Sequence, residues 1–220
     1  MKPLAPLEAR VLGVLVEKQS TVPDTYPLSL NALLAGCNQK TAREPVMNAT
    51  EADVLAAVDA LKAQSLVFET SGSRVVRFEH NLGRVLGVPS QSVALLTMLM
   101  LRGAQTSAEL RAHCDRLHRF ADISSVEGFL DELAAKDPPL VARLPRAAGE
   151  REPRWAHLLC GEPAPPPTTA PVPAIAIGFD EWEAIKVEQA RLSSEIERLK
   201  ALVQRLAGEL GTKTEQHDAP

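Results

Sequence analysis

Apolar positions change period twice along the first 85 residues. Leu7, Val11, Leu12, Leu15 and Val16 recur at three and four, which predicts a helix. Pro23 and Pro27 end it, because proline lacks the N–H and clashes with the preceding turn. Leu30, Leu33 and Leu34 mark a short second helix over about residues 29–35, stopped by Gly36. A third helix starts after Thr50, a residue able to cap it. Glu51 and Asp53 sit in its first turn, where the helix dipole favours carboxylates. Its expected core positions are Val54, Leu55, Val58 and Leu61. Residues 66–70 and 74–78, across a turn at Ser71-Gly72-Ser73, then alternate as a β-hairpin.

The same order returns in residues 86–162. Helices are expected at 90–101, at 107–113 behind a Thr106 cap, and at 124–136 with Val126, Phe129, Leu130 and Leu133 inward. Strands follow at 140–144 and 154–159. Val58 and Leu130 lie 72 positions apart, as do Leu61 and Leu133, and Leu33 and Leu110 lie 77 apart. A repeat of this length is a duplicated domain rather than a solenoid. Three helices closed by a β-ribbon is the order of a winged helix. The expected fold is therefore mainly α with small β-hairpins, an α+β class, as two tandem winged helices over residues 1–85 and 86–162.

A different pattern follows. Six prolines in residues 163–173 favour an extended spacer, which makes 163–178 a linker. Residues 179–210 then carry a heptad repeat, with Trp182, Gln189, Ile196, Val203 and Leu210 at a and Ile185, Leu192, Leu199 and Leu206 at d. β-Branched a positions with leucine at d favour a parallel homodimer, with Gln189 setting register and Glu195 facing Lys200 of the second chain. The alternative is a helix packed on its own globular body. Residues 211–220 read as a disordered tail.

Composition narrows the function classes. Of 220 residues, 45% are hydrophobic and only 4% aromatic, and 24 basic against 28 acidic groups give a net charge of −4. The globally basic surface that marks many nucleic-acid binders is missing. The longest apolar run, residues 93–101, is too short to span a membrane, and Glu8 and Arg10 interrupt any leader-like segment. The chain is expected to be cytoplasmic and unprocessed. Cys37, Cys114 and Cys160 are too few and too scattered for a disulfide framework.

Several local motifs are more specific. These are residues 7–19 (LEARVLGVLVEKQ), 26–33 (YPLSLNAL), 37–40 (CNQK) and 43–47 (REPVM). Together they resemble the bacterial YceH family, with the resemblance running over about residues 4–160. That family is functionally uncharacterised, and the resemblance implies a tandem winged-helix fold and no catalytic residues.

Candidate chemistry concentrates in Asn38, Gln39, Lys40, Thr41 and Arg43, just before the third helix. Amides can pair with adenine, and Lys or Arg with guanine edges or phosphate. The alternative is a capped turn whose amides satisfy backbone groups. The expected wings add Arg74 and Arg77, then Arg143, Arg146, Arg151 and Arg154, able to neutralise phosphates or to pair with nearby acids. Arg111, Arg116 and Arg119, with His113 and His118, form a further basic group. The third helix offers Asp53, Asp59, Lys62 and Gln64 and no arginine, which argues against standard major-groove docking. Cys114, His118, His157 and Cys160 supply a zinc-like donor set, spread over a helix and a hairpin; they are more simply core and surface residues, and no metal or cofactor is assigned. Phosphate-loop, nucleophile-elbow and zinc-protease motifs are missing, and nothing supports an enzyme.

Two readings remain. One is a dimeric, non-enzymatic DNA-binding regulator using residues 38–43 and the wings. The other is a protein-interaction scaffold, by fold-level analogy with ScpB-like chromosome-organisation subunits. The sequence favours the first narrowly.

Overall fold

The computed structural model describes residues 2–70, 75–146, 152–162, 191 and 193–206. Residues 1–166 form one compact unit and residues 167–220 a second.

In the first unit, helix α1 (Pro6–Thr21) is followed by a single 3-10 turn (Pro23–Thr25) and a two-residue strand β1 (Leu28–Ser29). Then come α2 (Leu30–Cys37), α3 (Glu51–Ala63), β2 (Val67–Thr70), β3 (Arg77–His80) and a short α4 (Leu82–Leu86). The second round is α5 (Ser90–Arg102), α6 (Ser107–His113), α7 (Ile123–Ala134), β4 (Val141–Arg143) and β5 (Trp155–His157). The mainly helical α+β class expected from the pattern is what is found.

Local chemistry accounts for the boundaries. Ser29 Oγ accepts from Ala32 N at the start of α2. Thr50 and Asp53 satisfy each other's backbone N–H groups at the start of α3, and Thr106 and Glu109 do the same for α6. Asp122 caps α7, which begins at Ile123, one position ahead of its expected start. The α2 and α6 caps are 77 residues apart and the α3 and α7 caps 72, the same two spacings that mark the repeat. Helix α2 does not stop at Gly36; it runs one residue further to Cys37.

The first sheet is antiparallel in the order β1-β3-β2, with Leu28 opposite Phe78 and Val67 opposite His80. The second pairs β4 with β5, Val141 opposite His157. In place of a counterpart to β1 it has a single bridge, in which Gln105 and Trp155 exchange both backbone bonds at 3.0 and 2.7 Å.

The core is continuous across both halves. Helix α1 is buried on every side from Ala9 to Val16, and α5 from Ser92 to Leu101. These two helices lie against each other so closely that a Cβ on Gly13 would sit 3.0 Å from Leu101. On another side of α1, a Cβ on Gly36 would fall 2.5 Å from Cγ1 of Val14, so α2 approaches through a gap that only glycine leaves. Backbone bonds from Leu4 N to Leu159 O and from Glu44 N to Leu101 O, each 2.8 Å, join the halves further. Leu55, expected in the core, is instead 43% exposed on α3. Among the described residues no helix is long and apolar enough to cross a membrane.

In the second unit, residues 193–206 are helical. Ile196, Leu199, Val203 and Leu206, all about half exposed, line one stripe of that helix. Ion pairs Arg198–Glu195 and Lys200–Glu197 run along it at 3.2 and 3.0 Å. Lys200, expected to face Glu195 of a second chain, here pairs within its own helix. Ile185, Gln189 and Leu192 lie outside the described residues.

Candidate functional site

The polar segment after α2 is held by its own side chains. Asn38 donates from Nδ2 to Ala49 O at 2.9 Å, and its Oδ1 accepts from Ala49 N at 2.8 Å. Its amide thus takes a backbone's place and closes the loop ahead of the Thr50 cap. Gln39 Nε2 donates to Thr41 O at 3.1 Å.

Arg43 corrects the expectation that it reaches a nucleic acid. Its side chain is wholly enclosed, at 0% exposure, and forms a two-pronged pair with Glu17 of α1 at 2.6 and 3.2 Å. Nε donates to Gly36 O at 3.1 Å, and Nη1 also to Ala42 O. Burial pushes the Glu17 carboxyl up, but Arg43 and Lys18 outweigh it and hold the group below its usual range. Every donor direction of Arg43 is spent inside the fold, leaving Lys40 and Thr41 as the exposed members of the segment.

The wing arginines divide in the same way. Arg77 donates to Thr25 O and Pro27 O at 3.2 and 2.7 Å, tying β3 to the segment before β1. Arg154 donates to Ala104 O and pairs with Glu109 Oε2, both at 3.0 Å. Arg143 lies 5.9 Å over the Trp155 ring and is exposed, as is Arg146. Arg74 and Arg151 lie outside the described residues. Beyond α6, Arg111 donates to Ala121 O, Arg119 pairs with Asp115 at 3.1 Å, and Arg116 is exposed without an ion pair among the described residues.

The outward faces of the third helices carry the opposite sign. Helix α3 presents Glu51, Ala52, Asp53, Leu55, Ala56 and Asp59, and Lys62 is held by Glu69 at 2.6 Å and Asp59 at 3.6 Å. Helix α7 exposes Glu127, Asp131 and Glu132 and carries no basic residue.

The zinc-like set does not assemble. Cys114 is fully buried in the core, and burial pushes its thiol up to about 12. His118 packs edge-on against Phe120 at 4.8 Å. Among the described residues no three His, Cys, Asp or Glu side chains are placed to share a metal ion. His80 and His113 are engaged elsewhere, His80 Nε2 with Gln19 Oε1 at 2.7 Å and His113 Nδ1 with Gln105 Oε1 at 2.6 Å.

One functional-looking residue escaped the pattern. Arg10, 1% exposed, donates to Cys37 O at 3.2 Å and Pro45 O at 2.7 Å, and its Nε has no partner among the described residues. Its signal was legible: residues 9–16 leave α1 no polar face, so a charge among them must be enclosed.

Comparison with known proteins gives a consistent picture. A family profile described as "Protein of unknown function, DUF480" matches residues 4–150. The chain is 65% identical over 222 residues to a UPF0502 protein of Burkholderia multivorans, covering 100% of this chain and 93% of that one. It is 65% identical over 214 residues to a UPF0502 protein of Burkholderia pseudomallei, covering 96% and 91%. With a UPF0502 protein of Burkholderia ambifaria it shares 63% over 228 residues, covering 100% and 93%.

Proposed function

The chain belongs to the DUF480 family of bacterial proteins of unknown function, and on that basis we propose a non-enzymatic protein-interaction module built on tandem winged helices and dimerised through its C-terminal helix. The doubled order of three helices and a hairpin, and the motif resemblance to the YceH family, support the winged-helix part. The heptad positions Ile196, Leu199, Val203 and Leu206, left exposed in one stripe, support dimerisation.

The observation that carries the interaction reading is the sign of the third helices. Docking α3 or α7 into a major groove would set Glu51, Asp59, Glu127, Asp131 and Glu132 against phosphates. The same faces, with exposed Leu55 beside small Ala52 and Ala56, suit a protein partner that offers lysine or arginine around an apolar strip. Burial of Arg43 and the internal bonds of Asn38 and Arg77 remove much of what favoured DNA.

A second reading keeps DNA through the other half. Arg116, Arg143 and Arg146 are exposed and carry no ion pair among the described residues, and Arg111 lies nearby in sequence.

The test pairs two measurements on the full chain. A photo-crosslinking residue at Ala56 is expected to trap a discrete protein in cells. Fluorescence anisotropy with mixed genomic duplexes is expected to show no binding at low salt. Affinity that falls steeply with salt, and is lost on changing Arg111, Arg116 and Arg119 to Ala, would overturn the interaction reading in favour of DNA.

A further inference from the structure

A cavity of about 550 Å³ opens where the two halves of the first unit meet. Helix α1 forms one wall through Pro6, Ala9 and Arg10, the end of α5 a second through Leu99 and Met100, and the residues around β5 a third through Ala156 and His157. Met47 and Leu144 complete an apolar lining. This volume is in the range of small-molecule sites, which are mostly apolar with a few placed polar groups.

Two of those polar groups are unsatisfied. Arg10 Nε and His157 Nδ1 are both buried without a hydrogen-bond partner among the described residues, and both residues line this cavity. Buried polar atoms are nearly always paired, so two orphans on one cavity call for an explanation. Arg10 also lacks a carboxylate partner among the described residues, its bonds being to two backbone carbonyls. An enclosed cation with no ion pair is costly, and Arg43 nearby adds repulsion that exposed Glu44 offsets only in part, so the burial still works against the charge. The other charges on the lining are committed or reach solvent: Arg154 pairs with Glu109, while Glu44 and Glu162 are exposed. Burial holds His157 neutral, pushing it down to about 4, so the ring offers a hydrogen bond rather than a charge.

We propose that this cavity is a binding site for an organic monocarboxylate with a compact apolar body, its carboxylate against the Arg10 guanidinium and its body against Leu99, Met100, Met47 and Leu144. The site stands apart from the surfaces argued above for a protein partner, and its test does not depend on them.

The methionines provide the readout. Met47 and Met100 line the cavity, whereas Met98 is buried on the same helix outside it. With methyl-labelled methionine in the full chain, titration of 1-naphthoate is expected to move the Met47 and Met100 signals saturably and leave Met98 in place. The neutral isostere 1-naphthalenemethanol is expected to bind at least about tenfold more weakly, since charge-assisted bonds are the strong ones. Leu144→Trp, which fills the cavity from a half-buried loop position, is expected to abolish the shifts while the remaining spectrum stays folded. Absence of saturable shifts at millimolar naphthoate overturns the site. Equal affinity for the alcohol overturns the role of Arg10, and unchanged binding to the Leu144→Trp chain overturns the location.

Discussion

Arg43→Met isolates the enclosed pair between α1 and the loop after α2. The substitution keeps much of the side-chain volume and removes the charge, leaving Glu17 with Lys18 at 3.1 Å as its remaining cation. Breaking a buried pair from one side costs about 3–5 kcal/mol, because the other charge stays desolvated. Glu17 retains 13% exposure and Lys18, so the low end, about 3 kcal/mol at pH 7, is expected. For a folded unit of this size that lowers Tm by roughly 6–12 °C. The loss is also expected to depend on pH. In the native chain the Glu17 carboxyl is held below its usual range, so its contribution is present above the unfolded pKa and fades as pH falls through the folded one. Without Arg43, burial dominates and the carboxyl rises. The variant then loses stability as pH climbs from the unfolded pKa to the raised one. The difference between the chains should therefore be small near pH 3 and fully developed by pH 7. Urea unfolding at both pH values checks this, with Glu17→Gln completing a double-mutant cycle. A difference below about 1 kcal/mol at pH 7, the scale of an exposed pair, or one that is flat with pH, would refute the reasoning.

Three further outcomes are expected. Gly36→Ala forces a Cβ to within 2.5 Å of Val14 in a full core, and should cost about 1–3 kcal/mol by urea midpoint; pairing it with Val14→Ala should recover part of the loss, and a neutral Gly36→Ala would mean α2 is free to move. His80 and His157 are both pushed down to about 4 by burial, so stability present at pH 7 should decline as pH falls from about 6.5, before carboxylates titrate. His80 Nδ1 accepts from Leu82 N, a bond its protonation removes, and ring signals of His80 moving near pH 6.5 would contradict this. Leu199→Glu, at the centre of the exposed stripe, should turn a dimer into a monomer by light scattering, as should a chain ending at Glu162; a dimer in either case would remove the C-terminal helix from the interface.

The repeat was legible because caps and periodicity recur independently. Thr50 and Thr106 announce α3 and α6 by side-chain chemistry, while the leucines announce them by spacing. Strand β1 and helix α4 are two and five residues long, too short to show a period, and exist because β3 and the approach to α5 hold them. Within residues 38–43, the enclosure of Arg43 is not legible, for a different reason. A run of polar residues looks solvent-facing when the partner that encloses it is distant. Glu17 lies 26 positions before Arg43, and no local rule links them. Leu55 shows the reverse error, an apolar side chain at a helical spacing that the packing leaves outside.

The placement of α1 bears on how the chain is made. Synthesis delivers this helix before α5, which covers one of its sides and ends 81 residues later. At roughly 5–20 residues per second, the interval between them is about 4–16 s, during which the flank of α1 at Gly13 is uncovered. The bond from Leu4 N to Leu159 O closes later still. A nascent chain in that state is a natural client for chaperones. Expressing either half alone would make the exposure permanent, so residues 1–166 are a single object that the ribosome must finish before any of it is safe.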